Sequence, residues 1–141
     1  MIVIDKKTQT NISYMNIHDW QIRQVICNYD DYKVIIPISK IVSKNQQLEA
    51  KLIFEEVIYN EISYYELWGS GNYISHCDMD DNSELINKLE KYKDDEQFWC
   101  SRLANYTSIS DEFFSFNITL NSGDTIKILA RKVIWDMDKS I

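Results

Sequence analysis

A chain of 141 residues is long enough to bury one real core and short enough to form one domain, residues 1–141. Its formal net charge of −7 excludes a phosphate backbone as a natural partner, because that contact needs clustered Lys and Arg. An apolar content of 45% excludes disorder, and one proline with three glycines leaves little material for a flexible linker.

Residues 1–4 read as a short strand, and residues 11–17 as either a strand or one helical turn. The first charges follow the short apolar run, the reverse of a secretory signal. A strand is predicted from His18 to about residue 28, closed by turn chemistry at Tyr29-Asp30-Asp31. Tyr32, Val34, Ile36 and Ile38 then alternate onto one face of the next strand. Pro37 has no N–H to give a ladder, which places that strand at a sheet edge or ends it there. After a loop at Ser43-Lys44-Asn45-Gln46, a long strand runs from residue 48 to about 59. Leu48, Ala50, Leu52, Phe54 and Ile58 share one of its faces. Glu49, Lys51, Glu55, Tyr59 and Glu61 share the other with Ile53 and Val57. Trp68-Gly69-Ser70-Gly71-Asn72 supplies a glycine-rich corner, and residues 73–77 a short strand.

One helical segment is predicted at about 82–105. Asp81 is placed to cap its start, Glu84 lies three residues later, and Leu85, Leu89, Tyr92, Trp99 and Leu103 repeat at helical spacing. Lys93-Asp94-Asp95 is a place where this segment divides in two. A C-terminal β-hairpin is predicted at about 113–135. Phe114, Phe116, Ile118 and Leu120 alternate in its first arm, and Ile126, Ile128 and Ala130 in its second. A three-residue loop, Asn121-Ser122-Gly123, makes the two apolar faces coincide, pairing Ile118 with Ile126 and Phe116 with Ile128. The expected fold class is α+β, mainly antiparallel β: a bent sheet or sandwich with a helix over an open side.

Chemistry-bearing patterns are sparse. His18-Asp19 and His76-Cys77 each set an imidazole beside a potential partner, yet neighbours along a strand point to opposite faces. Cys27, Cys77 and Cys100 are odd in number and widely spaced, which suits reduced thiols in the cytoplasm better than a disulfide framework. Asp78-Met79-Asp80-Asp81-Asn82 starts like a calcium loop, but Ser83 and Leu89 stand where that loop needs Gly and Glu. No metal, cofactor or catalytic residue is therefore expected, and no stretch approaches the ~20 apolar residues of a membrane span.

Acid is the stronger signal. From Asp78 to Glu96 eight acids face three lysines, −5 of the total −7. Such a segment suits a basic protein partner, since opposite potentials steer encounter. Asp80, Asp81, Glu84, Asp94, Asp95 and Glu96 are its expected contacts, and Tyr65, Trp68 and Tyr73 its aromatic anchors.

His18-Asp19-Trp20, Leu52-Ile53-Phe54-Glu55-Glu56-Val57, Leu67-Trp68-Gly69 and Ser122-Gly123-Asp124, in this order, resemble small bacterial β-rich proteins of the immunity type. That resemblance implies an inhibitor that neutralises a toxin. The expectation is thus a non-enzymatic protein-binding domain. The alternatives are a small-ligand site enclosed by the curved sheet, a hydrolase or thiol enzyme, and self-association through a sheet edge.

Overall fold

The structure, a computed structural model, describes residues 1–63, 72–80, 83–95 and 102–138. Among the described residues are ten strands: β1 Ile2–Asp5, β2 Gln21–Ile22, β3 Ile26–Asn28, β4 Lys33–Ser43, β5 Gln46–Glu55, β6 Tyr59–Ser63, β7 Ile74–Asp80, β8 Phe114–Leu120, β9 Thr125–Ala130 and β10 Lys132–Asp138. Two α-helices join them, α1 Ser83–Asp94 and α2 Ile109–Glu112, with 3-10 turns at Gln9–Tyr14 and Leu103–Asn105. The first sheet has the order β1-β10-β5-β4-β2, with β3 also on β4; the second has the order β6-β9-β8-β7. The pairings are antiparallel, so the domain is an α+β sandwich, mainly antiparallel β.

The β8–β9 hairpin follows directly from alternation and turn chemistry. Phe114 pairs with Ala130, Phe116 with Ile128 and Ile118 with Ile126. Gly123 has φ 93°, a conformation that carries no Cβ penalty only for glycine, and its N–H donates to the Leu120 carbonyl at 2.9 Å. The hairpin ends at Ala130, earlier than the predicted 135. After Arg131 the chain enters β10 of the other sheet, where Val133 pairs with Phe54 and Trp135 with Leu52.

A second crossing splits the long strand predicted over 48–59. Glu56 takes φ 53°, a left-handed conformation that is uncommon for a residue with a Cβ. β5 stops before it, and β6 begins at Tyr59 in the other sheet. The two crossings are tied together. Arg131 Nη1 donates to Glu56 Oε2 at 2.9 Å, the Tyr106 hydroxyl donates to the same oxygen at 3.0 Å, and Arg131 Nη2 reaches Glu112 Oε1 at 3.6 Å. Desolvation pushes the Glu56 carboxyl up, but the Arg131 and Tyr106 hydrogen bonds together hold it below its ordinary value. A group with a depressed folded pKa stabilises above its unfolded pKa and loses that contribution as pH falls. Arg131→Ala is expected to cost about 1 kcal/mol at neutral pH, since both partners are over a third exposed, and less at pH 3. Urea midpoints at the two pH values check this; equal losses would deny the ion pair its role.

Further departures have local causes. The strand predicted over 18–28 starts only at Gln21, because Asp19 has φ 67° and residues 18–19 form a turn, and it is two short pieces separated by residues 23–25. Tyr32, at φ 56°, is exposed and leaves the apolar row of β4. β4 continues through Pro37 as an interior strand, because β2 pairs at Ile38 and Ser39, β3 pairs from Lys33 to Ile35, and Pro37 falls in the gap between them. The helical segment predicted over 82–105 ends its first helix at Asp94, and α2 lies beyond the predicted segment, just before the hairpin.

Between the sheets lies the main core. Phe54 and Phe116 meet edge to face at 5.2 Å, as do Trp20 and Trp135. A satellite core on the outer side of the second sheet joins Ile86 and Leu89 of α1 to Leu103, Ile109, Phe113 and Leu129. The helix therefore covers only one end of that sheet.

Candidate functional site

Among the described residues, the part of the second sheet away from α1 carries ordered rows of polar side chains. Inward residues of β8 and β9 alternate with outward ones. One outward row runs Glu61, Lys127, Asn117 and Asp78 across β6, β9, β8 and β7. The next holds Thr125, Thr119 and His76.

Asn117 organises this surface. Its Nδ2 donates to Asp78 Oδ1 at 2.9 Å and to Asp80 Oδ2 at 2.9 Å, while the buried Ser115 hydroxyl donates to its Oδ1 at 3.1 Å. Only an amide can accept on one side and donate twice on the other, so the network fixes its orientation. Asp78 and Asp80 lie two apart on one face of β7, and both are exposed. The amide holds two like charges side by side that would otherwise spread apart. At the far side of the row, the Tyr59 hydroxyl donates to Glu61 Oε2 at 2.5 Å and thereby lowers the Glu61 pKa.

The predicted acids divide into three groups. Asp80 joins Asp78 on the sheet, and Glu84 follows, exposed, in the first turn of α1. Asp94 and Asp95 are exposed at the other end of α1, ~15 Å along the axis from Glu84. Glu90, between them, points inward to work on α2. Its Oε1 accepts from the backbone N–H groups of Ile109 and Ser110, and its Oε2 lies 3.3 Å from Lys93 Nζ. Tyr73 is 41% exposed and bridges to Gln21. Asp81, Glu96, Tyr65, Trp68 and Cys100 lie outside the described residues.

His18 and Asp19 correct the expectation that neighbouring side chains could not meet. The turn at Asp19 brings Asp19 Oδ2 to 3.5 Å from His18 Nε2. His18 Nδ1 donates to the Ser75 carbonyl at 2.7 Å, which holds the ring at the surface with Nε2 toward Asp19. Cys77 behaves as expected of a strand residue. It turns toward the main core while His76 turns out. Burial, helped by Asp78, pushes its thiol up to about 11, which leaves almost no thiolate at neutral pH. Cys27 Sγ accepts from Asn60 Nδ2 at 3.2 Å. Among the described residues no three His, Cys, Asp or Glu side chains converge as metal ligands.

Recesses lie at the margins of the sandwich. One of about 410 Å³ surrounds the Glu56–Arg131 crossing and is lined mainly by charged side chains. Another, about 420 Å³, lies between Cys27, Tyr32, Asn60 and Arg102, where the Arg102 guanidinium stacks 3.6 Å from the Tyr32 ring. The space between the sheets is occupied by Phe54, Phe116, Leu52, Ile36 and their neighbours, all fully buried. None of the described helices is long and apolar enough to cross a membrane.

Sequence reasoning located the acid but not its sorting. Asn117 gave no signal beyond its outward position in β8, and Glu90 looked like any surface helix acid. The chain matches no protein-family model and no curated protein.

Proposed function

We propose that this chain is a non-enzymatic protein-recognition domain whose open acidic surface receives a basic protein. The observation that supports it most is the Asn117 amide holding Asp78 and Asp80 together on the uncovered face of the second sheet. A preordered pair of carboxylates meets Lys or Arg with little further loss of side-chain freedom. Glu84 extends that charge onto α1, and Asp94 and Asp95 supply longer-range attraction at its other end. An immunity-type inhibitor of a basic bacterial toxin is the specific form this reading takes. The high thiol pKa of Cys77 and the inward use of Glu90 favour binding over chemistry.

The test is capture of the partner by the tagged chain, then kinetics with Asp78→Lys and Asp80→Lys together. The association rate is expected to fall about tenfold or more and to lose its dependence on ionic strength. An unchanged rate would remove the acidic surface from the interface. Asn117→Ala, which leaves the charges but removes the amide between them, is expected to act mainly on dissociation.

A further inference from the structure

We infer that the outer face of the first sheet is a docking surface for a second copy of this chain. In β4, β5 and β10 the side chains of Ile36, Leu52 and Trp135 turn into the core, so their neighbours turn out. Register then aligns five outward residues on five strands. Ile26 pairs with Ile35, Ile35 with Ile53, Ile53 with Ile134, and Ile134 with Val3. The result is an unbroken β-branched apolar stripe ~20 Å long across β3, β4, β5, β10 and β1. Ile26 is 40% exposed and Val3 37% exposed at its ends, and the three residues between them are partly exposed. None of the five belongs to either core cluster. Single apolar residues on a surface need no explanation, but an aligned row does.

Charge selects the occupant. The rows on either side of the stripe carry both signs: Asp136, Lys51 and Pro37 on one side, Asp5, Lys132 and Glu55 on the other. A basic partner would meet Lys51 and Lys132 as like charges. A two-fold related copy would not, because a symmetric interface presents the same patch twice. Ile134 lies midway between Lys132 and Asp136, and Ile53 midway between Lys51 and Glu55. With the two-fold axis laid along the stripe, each strand faces its own copy reversed. Asp136 then stands opposite Lys132 of the second copy, and Lys51 opposite Glu55 of the second copy. The rotation that lays the stripe on itself turns each of these charges toward its opposite. The stripe and its flanking rows are small beside the ~800 Å² per partner of a standard interface. The association is therefore weak and concentration-dependent, and it is independent of the acidic surface on the other sheet.

Sedimentation velocity of the full chain, over two decades of concentration up to near-millimolar, tests this. The mass is expected to rise toward that of a dimer. Lys51→Glu should weaken the association about tenfold, and Lys51→Glu combined with Glu55→Lys should restore it. Ile53→Lys should abolish it, with near-ultraviolet circular dichroism confirming that each variant is folded. A monomer throughout would overturn the inference. So would a dimer indifferent to Lys51→Glu and Ile53→Lys, or a double variant that fails to recover.

Discussion

Phe116→Ala is expected to lower the free energy of unfolding by about 3–5 kcal/mol, a large share of the ~5–15 kcal/mol that holds a domain together. The ring is fully buried, and it is the point where the two sheets interlock. Within its own sheet it pairs with Ile128 on one side and Met79 on the other. Across the sandwich it meets the Phe54 ring edge to face at 5.2 Å. Truncation removes the transfer free energy of the ring and leaves a cavity whose walls are strands fixed in ladders, which collapse poorly. Edge-to-face contact with Phe54 adds roughly 0.5–1.5 kcal/mol to what area alone gives. Phe116→Leu keeps most of the volume and is expected to cost less than about 1.5 kcal/mol. Urea unfolding followed by tryptophan fluorescence measures both variants, since the buried Trp20–Trp135 pair reports the same core from its other end. A loss under about 1 kcal/mol for the alanine variant would mean that the two sheets do not close over this ring.

The hairpin around that ring was legible in the sequence because two independent signals agree there. Period-two alternation sets which residues point inward, and the loop ending in Gly123 sets the register. The crossing at Glu56 was not legible for a physical reason. Glu56 breaks the alternation, since it falls on the face shared by Phe54 and Ile58, but one polar residue in an apolar row does not say that the chain changes sheet there. The change depends on partners remote in sequence, Val133 for Phe54 and Leu129 for Tyr59. The contact of His18 with Asp19 was missed because it depends on one positive φ, which Asp tolerates but does not announce. The candidate site divides in the same way. Composition finds an acidic middle segment, but charge counts cannot tell a carboxylate held for a partner from one spent on the fold. Asp78 and Asp80 are outward residues of a strand, whereas Glu90 is committed to α2. The outer stripe is a case of register alone. Ile53 was visible as an apolar residue among charges, but only pairing aligns it with Ile35 and Ile134.

Glu90 offers the sharpest separation between those two uses of charge. α2 is a four-residue helix whose first N–H groups have no intrahelical partner. The Ser108 hydroxyl accepts from the Asp111 N–H at 3.2 Å, a normal N-cap, and the Glu90 carboxylate takes the N–H groups of Ile109 and Ser110. Lys93, which also donates to the Thr107 carbonyl at 2.8 Å, holds the carboxylate from the other side. This pins α1 to α2 and so helps to bury Ile109 and Phe113 in the satellite core. Glu90→Ala removes the acceptor of both N–H groups, leaves that of the buried Ile109 unpaired beside the core, and is expected to cost about 2 kcal/mol. Desolvation pushes the Glu90 carboxyl up, but Ser110, Lys93 and Ile109 together hold it below the ordinary carboxylate range. The folded state therefore binds its proton less readily than the unfolded state, and the contribution is complete above the unfolded value of ~4.3. It is lost as pH falls through the lower folded value. Thermal or urea unfolding of Glu90→Ala beside the parent should thus give the full difference at pH 7 and a vanishing one in strong acid. Asp94→Ala, at an exposed carboxylate, should change stability by less than about 0.5 kcal/mol at either pH. A Glu90 difference that persists unchanged into strong acid would mean that its side chain acts through packing and not through its charge.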